Sequence, residues 1–184
     1  MKRVILSACL VLLPSLAAAD TGFQLAVPSV NIPKDPDVSG MRLSFLYGKN
    51  HSTHGLDVGL LSVSDTSDFS GLALVAGVSK VTGAMSSGVA FSLVNYHTGT
   101  DSGVNGAFIN LLNEAGGAFN TGFVIIAKGA TLVDLGGVNV SKSSGAQIGF
   151  INVTKHIKSF QFGFLNMAEN GFLPVFPIFN FPKQ

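Results

Sequence analysis

Between residues 40 and 180, apolar side chains recur at every second position in stretches of eight residues, and each stretch runs out into a polar segment. Aligned on their last residue, the clearest stretches are 88–95, 103–110, 145–152 and 159–166. Weaker ones at 40–47, 55–62, 72–79, 118–125 and 132–139 fill the gaps, and Asn180 continues the series. Their ends are spaced 13–17 residues apart, room for one strand and one turn. Three places before the end stands a small residue in every case: Ser44, Gly59, Ala76, Ser92, Ala107, Gly122, Gly136, Gly149 and Gly163. One place before the end stands an aliphatic one, from Leu46 to Leu165.

Alternation at period two predicts strands, because successive side chains of an extended chain point to opposite faces. One face would carry Val89, Phe91 and Leu93, or Phe160, Phe162 and Phe164; the other Ala90, Ser92 and Val94, or Gln161, Gly163 and Leu165. A helix is excluded by the period and by the glycines inside most stretches. Segments 97–102, 113–117, 142–144 and 169–171, rich in Gly, Asn, Asp and Ser, read as turns. The closing Asn of a stretch is then expected at the turn, where Asn tolerates left-handed backbone; the other reading is a row of amides for a ligand.

The fold class expected is all-β, about ten short strands in tandem 13–17-residue repeats. The first architecture is an antiparallel meander closing into a small outer-membrane-type β-barrel, with the Phe/Leu face to lipid and the small face filling the lumen. The alternative is a β-solenoid with the bulky face inside, favoured by near-constant repeat length and ladders of like residues. Missing Trp, the short loops, and Pro174 and Pro177 near the end count against a barrel. An outward face of Gly, Ala and Val counts against the solenoid.

Composition narrows the setting. Charged residues are 11% of the chain, against about 25% in an average domain, and Gly reaches 22 of 184 residues. A net charge of +1 argues against nucleic acid as a partner. Residues 1–19 have the grammar of a signal peptide: Lys2 and Arg3, an apolar run from Val4 to Leu13, then Pro14 and small residues up to Ala19. The run is too short to span a bilayer. Cys9, the single cysteine, stands in a lipoprotein-like Leu6-Ser7-Ala8-Cys9, but only Val4 and Ile5 separate that box from the charged end. Domains are expected as leader 1–19, leading loop or edge strand 20–39, and a glycine-rich repeat domain 40–184 capped by 172–184, where Pro177 demands an edge position.

No catalytic, cofactor-binding or metal-binding set emerges. The four histidines, His51, His54, His97 and His156, fall in or beside expected turns. His51, His54 and Asp57 have a spacing seen in metal sites without the further ligands one needs. Asp65 and Asp68 lack the glycine-rich nonapeptide of calcium β-rolls. Lys155-His156-Ile157-Lys158 is the densest basic patch, suited to a surface turn near anionic headgroups. The glycines at 149 and its equivalents are strand glycines, not phosphate loops.

The Gly-x-x-x-Gly-h-h-Asn units, clearest at 145–152, with the ending from Glu169 to Phe181, resemble an uncharacterised family of bacterial surface-repeat proteins. Repeats ending at Ser62, Ser79 and Ile125 depart from its Asn. The resemblance implies a secreted protein at the cell surface and supplies no established activity to carry over, so it bears on location more than on function. The function expected is therefore a non-enzymatic, structural or pore-like protein of the cell envelope, at the outer membrane or cell surface. The alternative is an exported solenoid acting as a surface adhesin or ligand-binding module. Partners expected are outer-membrane lipid or copies of itself, with any surface ligand unspecified. On this reading the mature chain begins at Asp20; mass spectrometry of the N-terminus checks it, and a diacylated Cys9 as first residue is the opposing result.

Overall fold

The computed structural model describes residues 20–28 and 30–183; the expected leader 1–19, Cys9 included, lies outside them. The strands are β1 (Thr21–Val27), β2 (Val30–Ile32), β3 (Asp37–Val81), β4 (Ala84–Met85), β5 (Val89–Asp101), β6 (Val104–Ile148), β7 (Ile151–Ala168) and β8 (Val175–Asn180), and the described residues contain no helix. β3 and β6 are each 45 residues long. Drawn straight, either would run roughly 150 Å. Instead the chain turns corners while staying extended and returns onto itself.

The pairings show where it returns. Ala73 pairs with Ala90, Asn95 with Asn110, and Asn139 with Asn152, all in parallel. Each residue meets its equivalent in the next repeat, so the repeats stack as coils of a β-solenoid. The barrel is not formed, because neighbouring strands of a meander would have to run antiparallel. Only the two end strands do: β2 on β1 and β8 on β7. The reason lies in the segments expected to be turns. His97 pairs with Leu112 and Thr100 with Glu114, and residues 113–117 and 142–144 lie inside β6. These segments remain extended and form the return pass of each coil, so the chain does not reverse between coils. It reverses only at the two ends, where Glu169 and Asn170 form the expected turn ahead of antiparallel β8.

The solenoid also differs from the one expected, since its bulky face points outward. Phe91 and Leu93 are exposed while Ala90 and Asn95 are buried, and Phe162 and Phe164 are exposed while Gln161 and Asn166 are buried. A circuit of about 15 residues is only roughly 50 Å of chain, and its inside has no room for a row of Phe. The small-h-h-Asn unit is the corner. Two consecutive residues, such as Phe150 and Ile151, turn outward there, and Asn152 turns back in. Alternation is thus broken once per coil, which moves Val94 and its equivalents off the face that strict period two assigns them. Left-handed φ falls on Leu46 (64°) and Leu61 (47°), one residue before the closing position, and not on Asn. Tyr47 is the exception among closing residues: it is exposed, and Gly48 takes the inner place.

Inward space varies with coil length. Phe69, Ala73, Val75, Val81, Met85 and Ala90 form an apolar cluster where the repeats stretch to 17 and 16 residues. Elsewhere the small column is fixed by the Asn folded over it. A Cβ on Gly149 would stand 2.1 Å from the Gly136 carbonyl oxygen and 2.6 Å from Asn139 Nδ2, whereas one on Gly22 meets nothing within 4 Å. Gly149→Ala should therefore lower stability by about 1–3 kcal/mol through overpacking, and Gly22→Ala by less than about 0.5 kcal/mol. Urea unfolding of both checks this, and equal effects would count against a steric column.

Candidate binding face and the buried polar spine

The inner columns are polar. In one, the amides hand hydrogen bonds from coil to coil: Asn105 Nδ2 donates to Asn120 Oδ1 (3.0 Å), and Asn120 Nδ2 to Asp134 Oδ1 (2.8 Å). From the other end, Asn180 donates to Gln161 (3.3 Å), Gln161 to Gln147 (2.8 Å) and Gln147 to Asp134 Oδ2 (3.4 Å). The two relays converge on Asp134, and a carboxylate, acceptor only, suits a position that receives donors from both sides. The closing asparagines form a second column, with bonds of 3.0 Å from Asn95 to Asn110, 2.7 Å from Asn139 to Asn152 and 2.8 Å from Asn152 to Asn166. Among the described residues three buried amide oxygens lack partners, Gln24 Oε1, Asn105 Oδ1 and Asn139 Oδ1. The last two each follow an apolar interruption of their column: Ala90 pairs with Asn105, and Ile125 closes the stretch before Asn139.

Titratable groups inside are held by one another. Arg42 grips Asp57 through Nη2 (2.6 Å) and Nε (3.0 Å), and the Ser64 hydroxyl bonds both. His97 Nδ1 lies 2.5 Å from Asp101 Oδ2, and His97 Nε2 is buried without a partner. Lys80 reaches Asp65 at 2.9 Å, and that hydrogen bond holds its ammonium pKa above the ordinary value. Burial pushes the Asp134 carboxyl up, and the bonds from Asn120, Thr131, Gln147 and Ser144 offset part of that. Apart from Lys80, which is partly exposed, these side chains are buried.

The polar residues singled out in the sequence are not brought together. Asp57 points inward to Arg42, while His51 and His54 are exposed, His51 beside Asp37 (3.1 Å) and His54 beside Ser52 (2.9 Å). Asp65 is taken by Lys80, and Asp68 accepts the Ala84 amide at 2.9 Å. Lys155, His156 and Lys158 are exposed around buried Ile157. The closing asparagines are buried and reach no external ligand. The barrel expectation has the Phe/Leu face outward but in the wrong architecture, and the solenoid expectation has the right architecture with that face inward; a solenoid with its bulky face outward is what neither supplies. Its signal is the charge-free Phe/Leu alternation itself.

Three outer columns run the length of the solenoid, represented in one coil by Val89, Phe91 and Leu93 and in another by Phe160, Phe162 and Phe164. No charged residue interrupts them. Phe150 is 74% exposed and Phe164 80%. At about 4.8 Å per coil the face is roughly 40 Å long, at the upper end of the apolar patches that monomers leave bare. Rings stack along it, Phe108 on Phe123 at 5.3 Å. Gly137 interrupts the outermost column between Phe123 and Phe150, and there the face dips into a shallow apolar groove of about 730 Å³ that Leu135, Ile148 and Ile178 also line. Comparison with known proteins finds no matching family model, no matching curated protein and no matching solved structure.

The carboxyl of Asp134, raised in the fold, keeps its proton to a higher pH than in the unfolded chain. Folding is thus favoured most below the ordinary Asp value of 3.8 and loses that contribution as pH rises through the folded value. Asp134→Asn removes the titration while leaving two donor relays facing a mixed acceptor and donor. The deficit of the variant relative to wild type should therefore narrow as pH rises from about 4 to 7. Unfolding at both pH values checks it, and a pH-independent difference is the opposing result.

Proposed function

We propose that this chain is an exported, non-enzymatic β-solenoid of the cell envelope that works as a binding module for lipid through its charge-free outer face. One observation carries the reading: Phe45, Leu60, Leu93, Phe108, Phe123, Phe150 and Phe164 stand exposed in register along one side of a fold that is itself held together from within. Taking such a surface out of water is favourable by about 25 cal/mol per Å², and nothing on it sets a hydrogen-bonding or charge requirement. Acyl chains fit that description. The arrangement of the titratable groups supports a non-enzymatic role, since the buried ones are committed to Arg42–Asp57, His97–Asp101 and the Asp134 relay. The amides that recur cannot act as acid or base near neutral pH. Leader grammar in residues 1–19 and the resemblance to surface-repeat proteins support the envelope as location.

Because Phe150 and Phe164 are bare, Phe150→Asp with Phe164→Asp should leave folding near wild type and weaken binding to phosphatidylcholine vesicles by about tenfold or more. Vesicle sedimentation with circular dichroism of the variant measures both. Unchanged vesicle binding, or a wild-type dimer that hides this face, would overturn the lipid reading in favour of pairing between copies.

A further inference from the structure

We propose that Lys128, Lys142 and Lys155 form a headgroup site that holds the phosphates of anionic phospholipid while the neighbouring apolar face enters the acyl layer. This rests on the lipid reading and adds a selectivity to it.

The register makes the row. Ser141 pairs with Thr154 and Ser143 with His156, which sets Lys142 directly beside Lys155. Lys128, one coil earlier, lines a shallow groove together with Lys142 and His156. All three lysines are exposed. Stacked coils place equivalent side chains about 4.8 Å apart, and like charges directly opposite each other across a ladder repel. The carboxylates nearby do little to relieve this. Glu169 stands 3.8 Å from Lys155 with both side chains more than half exposed, which makes the pair weak. Glu114 lines the same groove without a salt bridge to Lys128 or Lys142 among the described residues. A row of ammonium groups so placed is relieved by multivalent anionic surroundings, which an anionic bilayer surface supplies.

The charge bookkeeping of the whole chain hides this. Asp57, Asp65, Asp101 and Asp134 are buried, and only Asp57 and Asp65 have a cationic Arg or Lys partner. The sequence's +1 counts Lys2 and Arg3; from residue 20 onward nine Lys and Arg face ten Asp and Glu, so the positive charge around residues 128–158 is local and set by the burial of acids elsewhere.

Placement ties the row to the apolar face. Each lysine lies five residues beyond a residue of the outermost apolar column: Lys128 after Phe123, Lys142 after Gly137, Lys155 after Phe150. Between them come the outward corner residue and one more outward residue, Ile126, Val140 or Val153, also apolar. Apolar surface thus wraps the corner and ends at the lysines. The coils that carry them are those that carry the Gly137 groove. With the groove in the acyl layer, the lysine stems lie along apolar surface and their heads reach the interface.

The test uses the mature chain and vesicles of phosphatidylcholine alone or with about a third phosphatidylglycerol, in low and high salt. Wild type should bind the anionic vesicles tenfold to a hundredfold more tightly, by roughly a factor of five per lysine, and lose that advantage as salt is raised. Lys128→Gln, Lys142→Gln and Lys155→Gln together should erase the advantage and leave binding to phosphatidylcholine unchanged. A control that removes three charges elsewhere, Lys34→Gln, Lys49→Gln and Lys183→Gln, should retain most of it. The headgroup site is overturned if wild type shows no anionic preference, if the triple variant keeps it, or if the control loses as much. Failure of the lipid reading looks different: then the Phe150 and Phe164 variant binds phosphatidylcholine as wild type does.

Discussion

A parallel stack sets every residue one strand spacing from its own equivalent, so each inner column has to be compatible with itself. Amides satisfy this without a second residue type, because one group carries both a donor and an acceptor. Hence Asn lies on Asn from 139 to 166 and Gln on Gln from 147 to 161. Carboxylates do not stack on themselves, and each buried one is separated from the next in its column by other residues. Asp57 is set against Arg42 instead, and Asp134 against amide donors from both sides. Narrowness follows from the same geometry. A coil of about 15 residues encloses little, and an amide lying over Gly149 or Gly163 fills what there is. The larger apolar cluster inside lies where the coil lengthens, around Phe69 and Met85, while single large residues, Leu112, Ile125 and Ile157, are buried in coils of ordinary length.

Much of this was legible in the residues, though not as a whole. The all-β class, the repeat boundaries and the small column can be read from spacing alone, because period two and a fixed repeat have one structural meaning each. The direction of the chain cannot. Segments such as 97–102 have turn-forming composition, yet Thr98 and Thr100 continue an extended pass, and nothing local separates a return strand from a reversal. The facing of the strands is tied to architecture: a barrel turns bulk outward and a solenoid is expected to turn it inward. Here enclosed volume, a property of the closed circuit and not of any window, turns it outward in a solenoid. The outer apolar face is written in the sequence as an uncharged alternation, but its exposure depends on that volume.

The polar interior also redistributes charge. A domain with few ionisable residues has placed several of its acids where they serve the stack, at Asp57, Asp101 and Asp134. Burial costs a carboxylate its hydration; donors from neighbouring coils replace part of it at Asp57 and Asp134, and donors from its own coil, Gly103 and Asn105, at Asp101. The cations are spent differently. Among the described residues, apart from Arg42 and the partly covered Lys80, the cations stand outside. Fold and surface electrostatics are coupled through this division: the requirement that columns match inside is what leaves the outside positive.

The ends and the side of the solenoid are treated differently, and the difference bears on function. An open end offers a row of unpaired backbone groups to any other chain, and both ends are closed by an antiparallel strand, β2 on β1 and β8 on β7. In β8, Pro177 has no amide hydrogen to offer further pairing, and Phe179 stacks on Phe160 at 6.0 Å to hold the cover down. The cover is fuller at the β8 end, since β2 pairs only with Leu25–Val27 of β1. The long side has no such protection. No lysine, glutamate or proline interrupts the outer columns from Phe23 to Phe164. These side chains contribute little to the stack, being largely exposed, and would be replaceable by Thr or Lys at small cost to stability. An apolar side with the lysine row at its border is the layout that the lipid partner proposed above, apolar within and anionic at its boundary, would require.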